Sequence, residues 1–241
     1  MAKSMLNSAL KKKYDIYAVQ SNQKISAVNC KKNQKLVFDL LVILVKPNIF
    51  YENGNDFKKY LKNNTIIISC MAGVRIKTIS KKLDSEKVVR IMPNVLSLYQ
   101  KSHTCIYSNN LKLSNWTKNH FTKLLGTSFI VKKENDINLA TSIFGSGPAF
   151  MAMIVNSYME ACKKLNPALK LNDSSLKLLF SNIVNLSEQK GGLDGFIKSI
   201  ASKKGTTQEG INYLKKVNIE KIIYTTLQRA YRRAKEISVE K

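Results

Sequence analysis

Three apolar runs in the first half of this 241-residue sequence each end in small or polar residues. Val45-Lys46-Pro47 ends the first run, Ile68–Val74 the second and Arg90–Asn94 the third. Ligands of open α/β sheets bind outside the carboxyl ends of the strands, so these loops lie where a cofactor would sit if the runs are parallel strands. Taken alone, each loop is better explained as an ordinary strand-to-helix turn, since Lys-Pro and Ala-Gly suit turns.

A fourth segment, Phe144–Phe150, contains Gly-Ser-Gly-Pro. This run predicts a helix break, with Pro148 as the first residue of the next helix. Its alternative reading is a structural kink between two domains.

The elements around these loops follow an alternating pattern in the first half. Leu40–Val45 and Ile66–Ile68 are apolar at consecutive positions, which is typical of strands buried on both faces of a parallel sheet. Alternating strands and helices predict an α/β doubly wound sheet. The predicted strands are Ile16–Gln20, Leu40–Val45, Thr65–Cys70, Lys87–Ile91, Thr104–Ser108 and Ser128–Lys132; the predicted helices are Met1–Lys12, Asp56–Lys62, Arg75–Leu83 and Asn115–Leu125.

Only helical periodicity is found after about residue 134. We therefore predict two domains, an α/β domain at 1–133 and an all-α domain at 134–241, with the boundary near Lys133. The predicted helices of the second domain are Met151–Lys164, Asp173–Gln189, Leu193–Ser202, Thr206–Lys215 and Glu220–Ile237.

Composition excludes several classes of protein. The 44% of hydrophobic residues is enough for a core, and no apolar run approaches the roughly 20 residues of a membrane span. The formal net charge of +24 suggests a polyanion partner, but the lysines are spread along the whole chain, which favours a solvated surface over nucleic-acid binding. The four cysteines form no C-x-x-C pair, so we expect free thiols, no metal site and a cytoplasmic location.

Five motifs occur together in the order and spacing of the pyrroline-5-carboxylate reductase family, which this chain resembles from Met1 to its last helix. They are Ile-Ser-Cys-Met-Ala-Gly-Val, Arg-Ile-Met-Pro-Asn, Gly-Ser-Gly-Pro-Ala-Phe, Ser-Glu-Gln and Lys-Gly-Thr-Thr. The resemblance implies a Rossmann-like domain followed by a helical dimerisation domain, in a homodimer or higher homo-oligomer. It also implies NAD(P)H-dependent reduction of 1-pyrroline-5-carboxylate to L-proline, the last step of proline biosynthesis.

The resemblance assigns cofactor-binding roles to loops of the first domain. The loop Gln20-Ser21-Asn22 matches the segment that meets the adenosine ribose; it has no acidic residue and lies close to Lys24, which favours NADP, with NAD as the alternative. The other matching positions are Leu44, Val45, Lys46, Pro47, Cys70, Met71, Ala72 and Asn94.

Substrate-facing positions are assigned in the same way to Glu134, Glu188, Ser202, Gly205, Thr206 and Thr207. Gly205-Thr206-Thr207 is predicted to open a helix, whose free N–H groups suit a carboxylate, although Thr206 also suits a plain N-cap. We assign Thr207 as the catalytic residue, because its hydroxyl suits the ring nitrogen that gains a proton as the imine is reduced.

The sequence also departs from the family pattern. In the resemblance, Met1 aligns just after the glycine-rich turn, so we expect the chain as written to lack the first strand and glycine loop and to be an N-terminally truncated or divergent member. From this we expect weak dinucleotide binding, of about millimolar affinity. Lys203-Lys204 replaces Pro-Gly, and Ser102 replaces a glycine. A catalytically impaired relative that acts only as a helical dimerisation protein is therefore the second hypothesis, and a basic nucleic-acid-binding module is the third.

Overall fold

The described part of the chain is a five-stranded sheet with helices on both faces, followed by a series of helices. The computed structural model describes residues 8–17, 37–165, 167 and 173–239. The strands are β1 (Phe38–Ile43), β2 (Leu61–Ser69), β3 (Val88–Met92), β4 (Ser102–Tyr107) and β5 (Gly126–Ile130). The helices are α1 (Ser8–Lys13), α2 (Pro47–Asn53), α3 (Ile76–Leu83), α4 (Leu111–His120), α5 (Asp136–Ala140), α6 (Gly147–Leu165), α7 (Asp173–Glu188), α8 (Gly192–Ile200), α9 (Thr206–Lys216) and α10 (Ile219–Val239).

The sheet has the order β1-β2-β3-β4-β5, and its neighbours are parallel except for the antiparallel pair β3 and β4. Only nine residues, 93–101, join β3 to β4, and five of these form the 3₁₀ helix Val95–Tyr99. A parallel crossover needs a dozen or more residues, so this connection returns the chain antiparallel. The sequence analysis predicted the α/β sheet correctly and missed this reversal.

Both faces of the sheet are buried, as the continuous apolar runs predict. Ile67 and Val88 lie in a core cluster with Phe50, Ile79 and other residues of α2 and α3. The residues next along the same strands, Ile68 and Val89, point to the opposite face and join a second cluster with residues of α1 and of the segment after α4. Consecutive strand residues alternate between faces, so a run that is apolar at every position fills two cores.

Several predicted bounds are wrong. The segment predicted as a helix at Asp56–Lys62 is a 3₁₀ helix, Gly54–Tyr60, and β2 begins directly after it at Leu61. Helix α2 was missed, although Pro47 stands at its first position, as is common at helix starts, and Phe50 is fully buried. The ends of the remaining strands and helices agree with the predicted ends or differ from them by at most five residues. Within the predicted helix Met1–Lys12, the described residues form Ser8–Lys13, and most of the predicted strand Ile16–Gln20 lies outside the described residues.

The predicted helix break at Gly145–Pro148 is a single residue long. A π-helical segment, Thr141–Gly145, continues α5, and Ser146 alone separates it from α6, of which Pro148 is the second residue. Among the described residues, one helical stretch, Asp136–Leu165, is long and apolar enough to cross a membrane by length and composition alone. Most of this stretch is exposed in the single chain.

The chain divides into two compact units, one formed by Met1–Ser146 with Gln228–Lys241 and the other by Gly147–Leu227. The sheet and its core belong to the first unit. Among the described residues of the second unit, Met159 is the one buried apolar side chain. Large apolar side chains at Met153, Leu178 and Leu193 are more than half exposed instead. This helical unit therefore leaves most of its apolar surface uncovered.

Candidate active site

Three of the predicted cofactor loops meet at one edge of the sheet. Strands β1, β2 and β3 run parallel, with Ile43, Ser69 and Arg90 side by side in the register. Their carboxyl ends therefore place Leu44–Pro47, Cys70–Ala72 and Asn94 along the same edge. The backbone N–H of Cys70 donates a hydrogen bond of 3.0 Å to the Ile43 carbonyl, which ties the second loop to the end of the first strand.

The first loop runs straight into a helix. Leu44 and Val45 are half-buried, Lys46 is exposed, and Pro47 begins α2. The ammonium group of Lys46 is therefore the charged group that this loop presents to solvent.

The second loop turns back tightly after β2. The Met71 side chain is buried, and the Met71 N–H donates to the Ser69 hydroxyl at 3.3 Å. Gly73 has a φ of 76°, a left-handed conformation that glycine adopts without strain. Burial raises the pKa of the Cys70 thiol, so this cysteine stays protonated near pH 7.

The third loop is held by Asn94, whose side-chain amide makes two structural hydrogen bonds. Its Oδ1 accepts from the Leu96 N–H at 3.0 Å, and its Nδ2 donates to the Phe144 carbonyl at 3.0 Å. The Asn94 backbone N–H donates to the Ser102 hydroxyl at 3.1 Å. Ser102, which stands where the family pattern has a glycine, does not have a positive φ and supports the Asn94 turn.

Glu134 is held by two hydrogen bonds to one of its oxygens. Oε1 accepts from the backbone N–H of Ile76, the first residue of α3, at 2.7 Å and from Arg90 Nη1 at 3.0 Å. The Glu134 side chain is 23% exposed, whereas that of Arg90 is 2% exposed. Glu134 thus caps α3, at the end of the Cys70–Arg75 loop, and neutralises a buried charge.

Arg90 is the residue of this region that sequence reasoning missed. It lies in β3, all five residues of which are buried. Burial lowers the pKa of its guanidinium, and the charge and hydrogen bond of Glu134 raise it. The signal was present in the sequence, because a charged residue between Val89 and Ile91 in a buried strand requires an acidic partner.

The remaining substrate candidates lie in the second unit. Glu188 is the exposed last residue of α7. Gly205 is the N-cap of α9, and its N–H donates to the Ser202 carbonyl at 3.0 Å to close a tight turn. Thr206 and Thr207 form the first turn of α9, where Thr206 is exposed and Thr207 is half-buried.

In the turn before α9, position 205 requires glycine and the backbone of Lys204 is strained. A Cβ atom on Gly205 would collide with the Ser202 hydroxyl and lie 3.1 Å from the Ser202 carbonyl oxygen. Lys204 has a φ of 62°, the left-handed conformation that lysine rarely adopts. Lys204 therefore stands at a position whose backbone angle favours the glycine of the family pattern. Ser102, which also replaces a family glycine, does not have such a backbone angle.

Three of the predicted cofactor residues, Gln20, Ser21 and Asn22, lie outside the described residues. Among the described residues, no group of three or more His, Cys, Asp or Glu side chains is placed to hold a metal ion.

The helical half of the chain matches a family model. Residues 134–237 match the model described as pyrroline-5-carboxylate reductase dimerisation. This segment contains α5 to α9, most of α10 and all six predicted substrate-facing residues.

Relatives and solved structures agree over most of the chain. The pyrroline-5-carboxylate reductase of Staphylococcus haemolyticus is 30% identical over an alignment that covers 98% of this chain and 92% of the relative. A Coxiella burnetii pyrroline-5-carboxylate reductase structure has a TM-score of 0.71 at 25% identity and covers 88% of this chain and 81% of its own. The Plasmodium falciparum pyrroline carboxylate reductase with NADP bound has a TM-score of 0.74 at 24% identity, covering 83% and 77%, and this likeness shows the fold.

The sheet and the loops at its carboxyl edge form a dinucleotide-binding architecture, and the relatives place the chain among the NAD(P)H-dependent oxidoreductases. Within that class, the chain belongs to the pyrroline-5-carboxylate reductase family. None of the findings favours the non-catalytic alternative.

Proposed function

We propose that this protein reduces 1-pyrroline-5-carboxylate to L-proline with NADPH, as the last step of proline biosynthesis. The observation that carries the proposal is the helix start at Gly205–Thr207, which lies within the segment matched by the reductase dimerisation model. This helix start follows the sheet in the sequence, and the predicted cofactor loops of that sheet also match the family pattern.

The residues at the sheet edge fit the nicotinamide half of a dinucleotide. Leu44–Pro47, Cys70–Ala72 and Asn94 line one edge, and the left-handed Gly73 keeps the second loop compact and free of a side chain. The neutral Cys70 and the Asn94 amide, which makes two hydrogen bonds within the protein, add no charge to this edge. When bound, the dinucleotide supplies the hydride for the C=N carbon of the substrate.

NADPH is proposed over NADH. The support is the absence of an acidic residue in Gln20-Ser21-Asn22 and the lysine at position 24. An acidic residue there would bind a free ribose hydroxyl, whereas a cation suits the 2′-phosphate. The Plasmodium falciparum structure has NADP bound.

The substrate carboxylate is assigned to the start of α9. The first N–H groups of a helix have no partner within it, and they attract anions. Gly205 permits close approach of the substrate to this backbone, and we assign Thr207 as the catalytic residue that hydrogen-bonds the ring nitrogen. Glu134, Glu188, Ser202 and Thr206 complete the proposed substrate-binding set.

The active form is proposed to be a homodimer in the cytoplasm. The uncovered apolar side chains of Gly147–Leu227 support it, because a helical unit with so little core of its own is stabilised by burying that surface against a second subunit. This account also explains the apolar stretch Asp136–Leu165 as interface rather than membrane span. The whole segment 134–241 is the proposed dimerisation and substrate domain.

An assay of NADPH oxidation with 1-pyrroline-5-carboxylate tests the proposal. We expect substrate-dependent oxidation and a higher kcat/KM for NADPH than for NADH. Oxidation that is independent of substrate, or absent while the protein is folded and dimeric, would overturn the proposed activity.

A further inference from the structure

Arg90 is the most deeply buried charged residue in the described part of the chain that the proposed mechanism does not use. Its side chain is 2% exposed, and its Nε and Nη2 atoms are buried without a hydrogen-bond partner among the described residues. Among those residues, Glu134 is the one acidic side chain within ion-pairing distance. A buried guanidinium needs a hydrogen-bonded acidic partner, and Glu134 is that partner here, at 3.0 Å from Nη1.

The pair connects three segments of the first unit. Arg90 lies near the carboxyl end of β3, four residues before Asn94. Glu134 follows β5, and its Oε1 reaches the N–H of Ile76 at 2.7 Å. Ile76 begins α3 directly after the loop that contains Cys70, Met71 and Ala72.

Helix α3 depends on this distant carboxylate for its cap. Its N-cap residue, Arg75, has an extended backbone and makes no side-chain capping bond. A negative charge at a helix start also interacts favourably with the helix dipole. The position of the α3 start therefore depends on where Arg90 holds Glu134.

We propose that Arg90 is a positioning residue for the cofactor loop: through Glu134 it fixes the start of α3 and so the Cys70–Arg75 loop against which the dinucleotide binds. This inference rests on the proposed function for the identity of the ligand. Because Oε1 takes both hydrogen bonds, the same anchor leaves Oε2 for the substrate-facing role assigned to Glu134. Arg90 itself touches neither ligand in this account.

The test compares Arg90→Met and Arg90→Lys with a matched control, Lys62→Met. Lys62 also forms an ion pair in the first unit, with Asp39, but both side chains are exposed and lie toward the amino ends of β1 and β2. We expect Arg90→Met to raise the KM for NADPH about tenfold or more, the effect of one lost charge-assisted hydrogen bond, with a smaller change in kcat. Arg90→Lys should recover part of this loss, and Lys62→Met should leave the KM unchanged.

Hydrogen–deuterium exchange of peptides from residues 70–80 provides a readout that does not need turnover. Arg90→Met should speed exchange in this segment about tenfold while leaving β4 and β5 protected, because the Ile76 amide loses a fixed acceptor. If the single variant does not fold, Arg90→Met with Glu134→Gln removes both charges and should keep the fold while showing the same local effect.

The positioning role of Arg90 and the proposed function are overturned by different results. Unchanged exchange at 70–80 together with an unchanged KM for NADPH would overturn the positioning role, as would a rise confined to the KM for 1-pyrroline-5-carboxylate. A wild-type protein without activity would count against the proposed function, and the exchange result would still decide the role of Arg90.

Discussion

Lys204 shows what a single backbone angle does in the turn before α9. Its φ of 62° lies in the left-handed region, which costs a residue with a Cβ about 1–2 kcal/mol and costs glycine little. The turn is nevertheless closed by the Gly205 N–H bond to the Ser202 carbonyl. The proposed carboxylate site therefore carries local strain that the family's glycine would relieve.

Replacing Lys204 with glycine should stabilise the protein. We expect Lys204→Gly to raise the free energy of unfolding by about 0.5–1 kcal/mol, the steric gain being partly offset by the greater entropy of the unfolded chain. Lys203→Gly is the matched control, because position 203 does not have a positive φ and should only lose stability. Denaturant unfolding measures both, and a Lys204→Gly protein no more stable than Lys203→Gly would contradict the strain.

Thr207 is the second residue-scale test, because its role was assigned by resemblance. If its hydroxyl bonds the ring nitrogen, Thr207→Ala should lower kcat about tenfold to a hundredfold, the range for one hydrogen bond to a charged group. The KM for NADPH should change little, since the contact is with substrate. Thr226→Ala serves as control, because the Thr226 hydroxyl bonds the Ile222 carbonyl within its own helix.

A Thr207→Ala protein with wild-type kcat and a raised KM for NADPH would place this hydroxyl near the cofactor instead.

At the scale of elements, the sheet could be predicted from the sequence because strands buried on both faces are apolar at most consecutive positions. Leu40–Val45 and Ile66–Ile68 predicted two-sided burial, and these runs do contribute to the clusters on both faces. The reversal between β3 and β4 could not be read from the same pattern, since a buried antiparallel strand is equally apolar. Only the shortness of the connection, residues 93–101, carried that information.

The antiparallel pair β3–β4 contains a buried thiol that makes stability depend on pH. Cys105 lies opposite Met92, and burial raises its pKa to about 12, whereas an unfolded thiol titrates at about 8.5. The folded state keeps the proton longer, so the stabilisation is fully present below pH 8.5 and is lost as pH rises toward 12. The slope for one such group is about 1.4 kcal/mol per pH unit.

Cys105→Val removes the titrating group while keeping a similar apolar volume. Under reducing conditions its free energy of unfolding should fall less steeply between pH 8.5 and 10 than that of the wild type, by up to about 2 kcal/mol in total. Both proteins should show similar pH dependence between pH 7 and 8. Parallel curves for the two proteins up to pH 10 would mean that Cys105 is accessible to water.

At the scale of the whole molecule, the helical unit Gly147–Leu227 has apolar helices without an internal core among its described residues. If a second subunit covers the exposed apolar surface of this helical unit, a charge placed on that surface should separate the two subunits. Met153, 72% exposed in the single chain, is the sharpest position for this. Met153→Glu should lower the dimer fraction in light scattering at micromolar concentration, whereas Tyr99→Glu, on the sheet unit, should not.

A wild-type protein that is monomeric at micromolar concentration, with a folded circular dichroism spectrum, would contradict the dimer.

Part of the candidate site could be predicted from the sequence, and part of it depends on the fold of the whole molecule. Strand ends and helix starts have local signals, so the positions of the three predicted cofactor loops at strand ends and of Gly205–Thr207 at a helix start could be predicted from their motifs; their roles stay predictions. The Arg90–Glu134 pair could not, because its residues are 44 positions apart and only the fold brings them together. Pairings of that kind depend on the tertiary structure, which no local pattern encodes.

Isotope transfer tests the central claim most directly. The protein is incubated with 1-pyrroline-5-carboxylate and NADPH that carries deuterium at both hydrogen positions of the transferring carbon, and the product is examined by mass spectrometry and NMR. The account predicts L-proline with one deuterium on the ring carbon that was double-bonded to nitrogen. Deuterium that stays entirely in the nucleotide, or proline formed without label, would contradict it.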